Sequence, residues 1–262
     1  MTLTNKLNGF KAVWKFDNRW SLILNKIFFS SDTLHIYRYK NLEFLNDHSA
    51  GDANGARDVV FSPMYLQLLR KMDLPAELSV LDLGANNGGF PMMLAAAGFG
   101  VRKLVSVELN PETCSRLRFN LERNFKGRAA AVNAAVCGDD RWIDISLGSG
   151  STSDNIYEAE GKGSHGTNHR LPGRTFDSIY GEFFAEEVVD ICKIDVEGAE
   201  FEIFNGKGDL RLTQCRYLLI EIHAHPDSNP SDLVDYICKR KFRLVEGPTD
   251  ESVYLFANLE LK

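Results

Sequence analysis

From residue 76 onward the chain alternates short apolar runs with helix-like stretches, and no other feature restricts the fold as much. The runs "LSVLDLG", "KLVSVELN", "VVDICKID" and "RYLLIEIHAH" are almost continuously apolar, so each strand needs cover on both faces. "GGFPMMLAAAGFG" reads as a helix stopped by Gly98 and Gly100. "PETCSRLRFNLERNF" reads as one opened by Pro111, at a first-turn position where no amide hydrogen is needed. "AAAVNAAVCG" supplies a further, alanine-rich strand, and "EGAEFEIF" a short helix. Ser231 is expected to cap "DLVDYICKRK", and "FRLVEG" with "SVYLFANL" to close the chain as an antiparallel pair. Such alternation gives an α/β fold with a largely parallel sheet and helices on both sides.

Residues 1–75 read differently. "LHIYRY" and "LEFLND" flank Lys40-Asn41 as a hairpin, and "VVFSPMYLQLLRKM" carries apolar residues at helical spacing. This gives two units: an extension of hairpin and helix over 1–75, read as a lid, and the α/β domain over 76–262. The Gly- and Ser-rich stretch 146–176 is too long for an ordinary connection and is read as a disordered or binding loop.

Composition narrows the partners. Charged residues make up 25% of the 262, with a formal net charge of −6, which disfavours nucleic acid as substrate. Five cysteines without a C-x-x-C pair suit a reducing compartment rather than a disulfide framework. No apolar run has the length of a signal peptide core or a membrane span, so the expected location is the cytoplasm.

"VLDLGANNGGF" carries the first chemical signal. A dinucleotide site wants glycine where Asn86 stands, because a side chain there crowds a pyrophosphate. Asp82, at the strand end, suits a ligand ammonium, and the helix after Gly88 suits a carboxylate. The next strand ends in Glu108, placed to take two ribose hydroxyls. An amino-acid-bearing adenosine cofactor, S-adenosylmethionine, combines these groups.

A second signal closes the later strands. Asp195 ends one and Glu221 with His223 ends the next, on one side of that strand by period two. Asp195, Glu221 and His223 are the candidates to take a hydroxyl proton, His223 foremost, with Glu221 either orienting it or paired with Lys193 or Arg57. A divalent ion such as Mg²⁺ held by Asp195, Glu221 and His223 is an alternative means of activating a hydroxyl; the ligand types permit it, and their separation in sequence gives no spacing test. Glu200 reads as a helix-start carboxylate, Glu197 has no assigned role, and Lys193 reads as paired within the sheet. Asp52, Asn54, Arg57 and Tyr65 are candidates for a lid over the ligand, with Arg57 and Tyr65 toward the substrate.

These motifs, above all "KIDVEGAEFEIF" followed by "LLIEIH", resemble those of the FkbM family of S-adenosylmethionine-dependent methyltransferases over about residues 76–225. The resemblance implies a class I methyltransferase Rossmann-like fold with a seven-stranded, mostly parallel sheet and an antiparallel last strand. It implies that Asp82, Gly84, Ala85, Asn86, Gly88, Glu108 and Leu109 bind the cofactor, that Asp195 lies near the transferred methyl, and that Glu221 and His223 lie near the acceptor. The expected reaction is O-methylation of a carbohydrate or glycosylated natural product. The alternatives are an NAD-dependent oxidoreductase or epimerase, disfavoured by Asn86, and a binding protein without chemistry.

Overall fold

The structure, a computed structural model, describes residues 13–29, 31–50, 52, 55–147, 167–204, 207–223 and 228–261. It begins with α1 (Arg19–Phe28), followed by the hairpin of β1 (Leu34–Tyr39) and β2 (Leu42–Asp47). Lys40 turns that hairpin at φ +52°, the left-handed value such tight turns demand. The single turn α2 (Ala56–Val59) precedes α3 (Pro63–Leu69), where Pro63 opens the helix and the Ser62 hydroxyl accepts from the Tyr65 amide.

Next come β3 (Glu77–Leu83), α4 (Gly89–Ala96), β4 (Gly100–Glu108), α5 (Pro111–Phe125) and β5 (Ala129–Asn133). The alanine-rich run then divides instead of continuing as one strand. Its second part, β6 (Ala135–Val136), pairs with β8 (Thr167–Arg174), which runs antiparallel to β7 (Arg141–Leu147). Two parts of the expected 146–176 loop are therefore strand; residues 148–166 lie outside the described residues. The chain finishes with α6 (Phe176–Phe183), β9 (Val189–Ile194), α7 (Glu200–Ile203), β10 (Cys215–Glu221), α8 (Pro230–Lys239), β11 (Phe242–Glu246) and β12 (Val253–Asn258). Asn229, not Ser231, caps α8: its side-chain oxygen accepts from the Ser231 amide, and Pro230 occupies the first helical position.

Seven strands form the main sheet in the order β11-β12-β10-β9-β3-β4-β5. β12 is antiparallel to both neighbours, whereas β3, β4, β5, β9 and β10 pair in parallel, as the sequence pattern predicts. Side chains alternate between two cores. Leu78 and Val80 of β3 join one, and Leu81 and Leu83 join the other. Phe16, Tyr37 and Phe44 from the N-terminal segment belong to the first of these cores, with ring centroids 4.7 Å (Phe16–Tyr37) and 5.8 Å (Phe16–Phe44) apart. Each such buried ring contributes about 1.5–3 kcal/mol, so this segment is packed onto the sheet as part of its core.

Candidate active site

After β5 the chain crosses back to the other flank of β3 as β9, so the loops leaving β3 and its neighbours diverge. Open α/β sheets take ligands in the crevice this leaves at the carboxyl ends of the strands. A cavity of about 290 Å³ lies there. Gly84, Ala85 and Asn86 line it after β3, and Glu108 and Leu109 after β4. Lys193 and Asp195 face it from β9 and Glu221 from β10.

Local backbone demands explain the glycine loop. Gly84 adopts φ +76°, and a Cβ there would collide with the Asp195 backbone carbonyl. Only glycine lets the loops after β3 and β9 close on each other. The Glu108 carboxylate accepts the Asn86 amide at 2.9 Å and the Asn110 amide at 2.8 Å, tying the β3 and β4 loops together beside the cavity. Asn87 holds the N-terminal segment: its Oδ1 accepts the Ala56 amide at 2.7 Å and its Nδ2 donates to Asn46 Oδ1 at 2.8 Å. Asn120 Nδ2 donates to the Asn87 carbonyl at 2.8 Å, and Arg116 clasps Asp52 with two bonds of 2.7 and 2.9 Å.

The other half of the site is acidic. His223 Nδ1 lies 2.8 Å from Glu200 Oε1, while Nε2 faces Glu197 at 3.4 Å, Glu221 at 3.5 Å and Asp195 at 3.9 Å. Hydrogen bonding to Glu200 and Glu221 and the surrounding carboxylates outweigh burial and push the imidazole pKa up to about 11. The ring is therefore a cation at neutral pH. Burial pushes Glu197 up to about 7, with His223 pulling the other way and Asp195 and Glu221 adding to the rise. Glu197 also holds φ +53°, a strained value for a residue with a side chain. Burial disfavours the Lys193 charge, yet Asp195 at 2.9 Å, with Tyr65 and Asp82, holds its pKa above the ordinary lysine range. Oxygens of Asp195 and Glu197 and a ring nitrogen of His223 lie within 4.8 Å of one another, a donor set that suits a divalent cation by type. Glu197 stands in that set where Glu221 was expected. A metal there would have to displace the imidazolium proton.

Several expected ligand contacts fall elsewhere. Asp82 is fully buried and does not face the cavity. Lys193 Nζ stands 3.8 Å from it and 3.3 Å from the Gly84 carbonyl, so a protein ammonium takes the position the sequence assigned to the ligand's. Burial raises the Asp82 pKa to about 6. Gly88 is set back too, its φ of +96° serving the turn into α4. Arg57 is ion-paired with Asp58 at 2.8 Å and faces a neighbouring hollow, which shares Val59, Tyr65 and Glu251 with the cavity. Tyr65 is buried, and that burial raises its hydroxyl pKa. Asp52 is no loose lid residue but a buried partner of Arg116, and Asn54 lies outside the described residues. The sequence reading missed Gly55 and Glu251 in the cavity wall and undervalued Glu197 and Glu200. Glu200 is fully buried, a burial that three unspaced acids in "VEGAEFE" do not announce.

Comparison with known proteins gives a family and the same fold. Residues 82–244 match the methyltransferase FkbM domain. The AMB antimetabolite synthetase AmbE of Pseudomonas aeruginosa is 27% identical over 195 residues, covering 62% of this chain and 9% of the synthetase. The crystal structure of methyltransferase FkbM from Methylobacillus flagellatus KT superposes with a TM-score of 0.50 at 16% identity, over 71% of this chain and 44% of that one. The chain thus spans under half the length of either relative. With the domain match extending over more than half of its residues, the chain belongs to the FkbM methyltransferase family.

Proposed function

We propose that this chain is an S-adenosylmethionine-dependent O-methyltransferase acting on a hydroxyl of a carbohydrate or glycosylated natural product. The observation that carries the reading is one cavity with two unlike linings. Glu108 and the loop after β3 supply one, and Asp195, Glu197 and Glu221 an acidic other, with His223 against those acids. Glu108 suits ribose hydroxyls, and Leu109, Ala134 and Val136 offer an apolar wall for a base. Gly84, Ala85 and Asn86 line the same cavity. Lys193, beside Asp82 and Asp195, suits the carboxylate of the amino-acid tail.

When bound, the cofactor supplies an electrophilic methyl on a sulfonium; the protein's part is alignment and proton removal. A protonated His223 is a poor proton acceptor, so Glu197 takes the hydroxyl proton in this reading. His223, fixed by Glu200, positions Glu197 and tempers its charge. Asp195 and Glu221 orient the acceptor hydroxyl, and Tyr65 walls the acceptor side.

Calorimetry with S-adenosylhomocysteine and NAD, followed by mass spectrometry of a sugar hydroxyl panel incubated with S-adenosylmethionine, tests the proposal. The expected result is binding of S-adenosylhomocysteine alone and a gain of one methyl on oxygen. Tight binding without transfer to any acceptor would favour the non-catalytic alternative. Loss of turnover on chelation, restored by one divalent ion, would replace the imidazolium by a metal.

A further inference from the structure

Eight of the thirteen large hydrophobic side chains exposed among the described residues fall between positions 14 and 36. On α1, Trp20, Leu24, Ile27 and Phe28 follow the spacing of one helix face, and all four are exposed, Trp20 by 60% and Phe28 by 71%. Leu22, on the opposite side, is buried and attaches the helix to the body. Trp14 packs its ring 5.2 Å from that of Trp20, and Leu34 and Ile36 on the outer face of β1 extend the apolar area. This surface is held in shape. Asn18 donates to the Ile36 carbonyl at 2.8 Å and accepts the Arg38 amide at 3.0 Å, while Asp17 accepts the Lys40 amide at 2.7 Å.

Charge distinguishes the occupant. In a chain of net charge −6, residues 13–40 carry five basic side chains against two acidic ones. Arg38 pairs with Glu43, and Lys40 donates to the Ala96 carbonyl. Lys15, Arg19 and Lys26 form no ion pair among the described residues; Arg19 lies over the Trp14 ring, Lys15 over the Phe61 ring, and Lys26 on the Leu22 side of α1. Tryptophan and phenylalanine on one face, with basic side chains on the flanks of the same segment, suit a helix lying in a lipid interface, where anionic headgroups attract the basic residues. In a chain of net charge −6, a local excess of basic side chains at an apolar patch favours an anionic surface as the occupant.

We propose that α1 and the outer face of the β1–β2 hairpin bind the surface of an anionic lipid bilayer from one side. Lys15 also lines the hollow next to the cavity, so the bound surface would border the acceptor entrance.

Co-sedimentation of the full chain with vesicles of phosphatidylcholine alone, and of phosphatidylcholine with phosphatidylglycerol in equal parts, tests this independently of methyl transfer. Two of the three tryptophans lie in the patch, so their emission reports on insertion. The expected result is binding at least about tenfold tighter to the anionic vesicles, weakened by salt, with a blue shift in emission. The double change Trp20→Glu and Phe28→Glu should abolish binding with Tm unchanged, because both side chains are exposed. Lys15→Glu with Lys26→Glu should remove the anionic preference. Equal binding to both vesicle types, or to neither, overturns the proposal. So does a dimer in light scattering that the double change converts to monomer without any vesicle binding, which would assign the face to a second copy.

Discussion

Around Arg116 charge and hydrogen-bonding capacity are matched; around His223 they are not. Arg116 meets one carboxylate, Asp52, through two bonds, and its remaining reach goes to the Thr113 hydroxyl. The Asp47 amide donates to the same Asp52, so the buried pair is neutral and well served. At His223, four carboxylates face one imidazole, with one lysine touching the group through Asp195. Glu200 Oε2 is buried without a hydrogen-bond partner among the described residues. A matched buried network fixes one conformation, here the seat of the glycine loop. A mismatched one stores free energy that a ligand can relieve, which is the ground for assigning the proposed chemistry to it.

The comparison breaks most visibly in catalysis. Glu197→Gln and His223→Ala should each lower kcat by about 10²–10⁴-fold, the range for a positioned proton acceptor, with affinity for S-adenosylhomocysteine nearly intact. Their pH profiles should differ. The imidazolium lowers the Glu197 pKa, so His223→Ala moves the acid limb to higher pH, whereas Glu197→Gln removes it. The opposite pattern would make His223 the proton acceptor after all.

Stability should separate the clusters next. Asp52→Ala leaves Arg116 buried and unpaired, and urea unfolding should show a loss of about 3–5 kcal/mol. If stability stays within about 1 kcal/mol while kcat collapses, the Arg116 network is not the structural one. A smaller effect is due at Glu108. Glu108→Ala should weaken S-adenosylhomocysteine binding by about 1.5–3 kcal/mol in calorimetry, and unchanged affinity would remove that residue from the site.

The finest test is a sign. Glu197 titrates at about 7 when folded, against 4.5 as a free side chain, so its contribution to stability is present below 4.5 and is lost as pH rises through 7. Glu197→Gln has no such loss. Its Tm should therefore exceed that of the parent at pH 8 and match it near pH 4. A lower Tm at pH 8 would mean that the charge is stabilised in the fold and that the cluster is not strained.

Much of this was legible beforehand because it depends on local pattern. Apolar runs bounded by glycine and proline declare the parallel strands and their helices. A residue at a strand's end must lie at the sheet's edge, so Glu108, Asp195, Glu221 and His223 could be assigned to one rim. β8 could not be read, since "TNHRLPGR" has no alternation and holds a strand only by pairing with β6 and β7. Gly173 is required there because a Cβ would press on Cys137 and Ile143, residues distant in sequence.

The sequence by itself determined the α/β architecture, the family and the gathering of the candidate residues at the strands' carboxyl ends, because strand periodicity and turn residues act over a few positions. Only the tertiary structure decided what each acid meets. Asp82 faces Lys193 instead of the ligand, Asp52 is spent on Arg116, and Glu200 holds the far side of His223. Charge state depends on burial and on neighbours brought together from separate strands, and neither quantity exists until the sheet has formed.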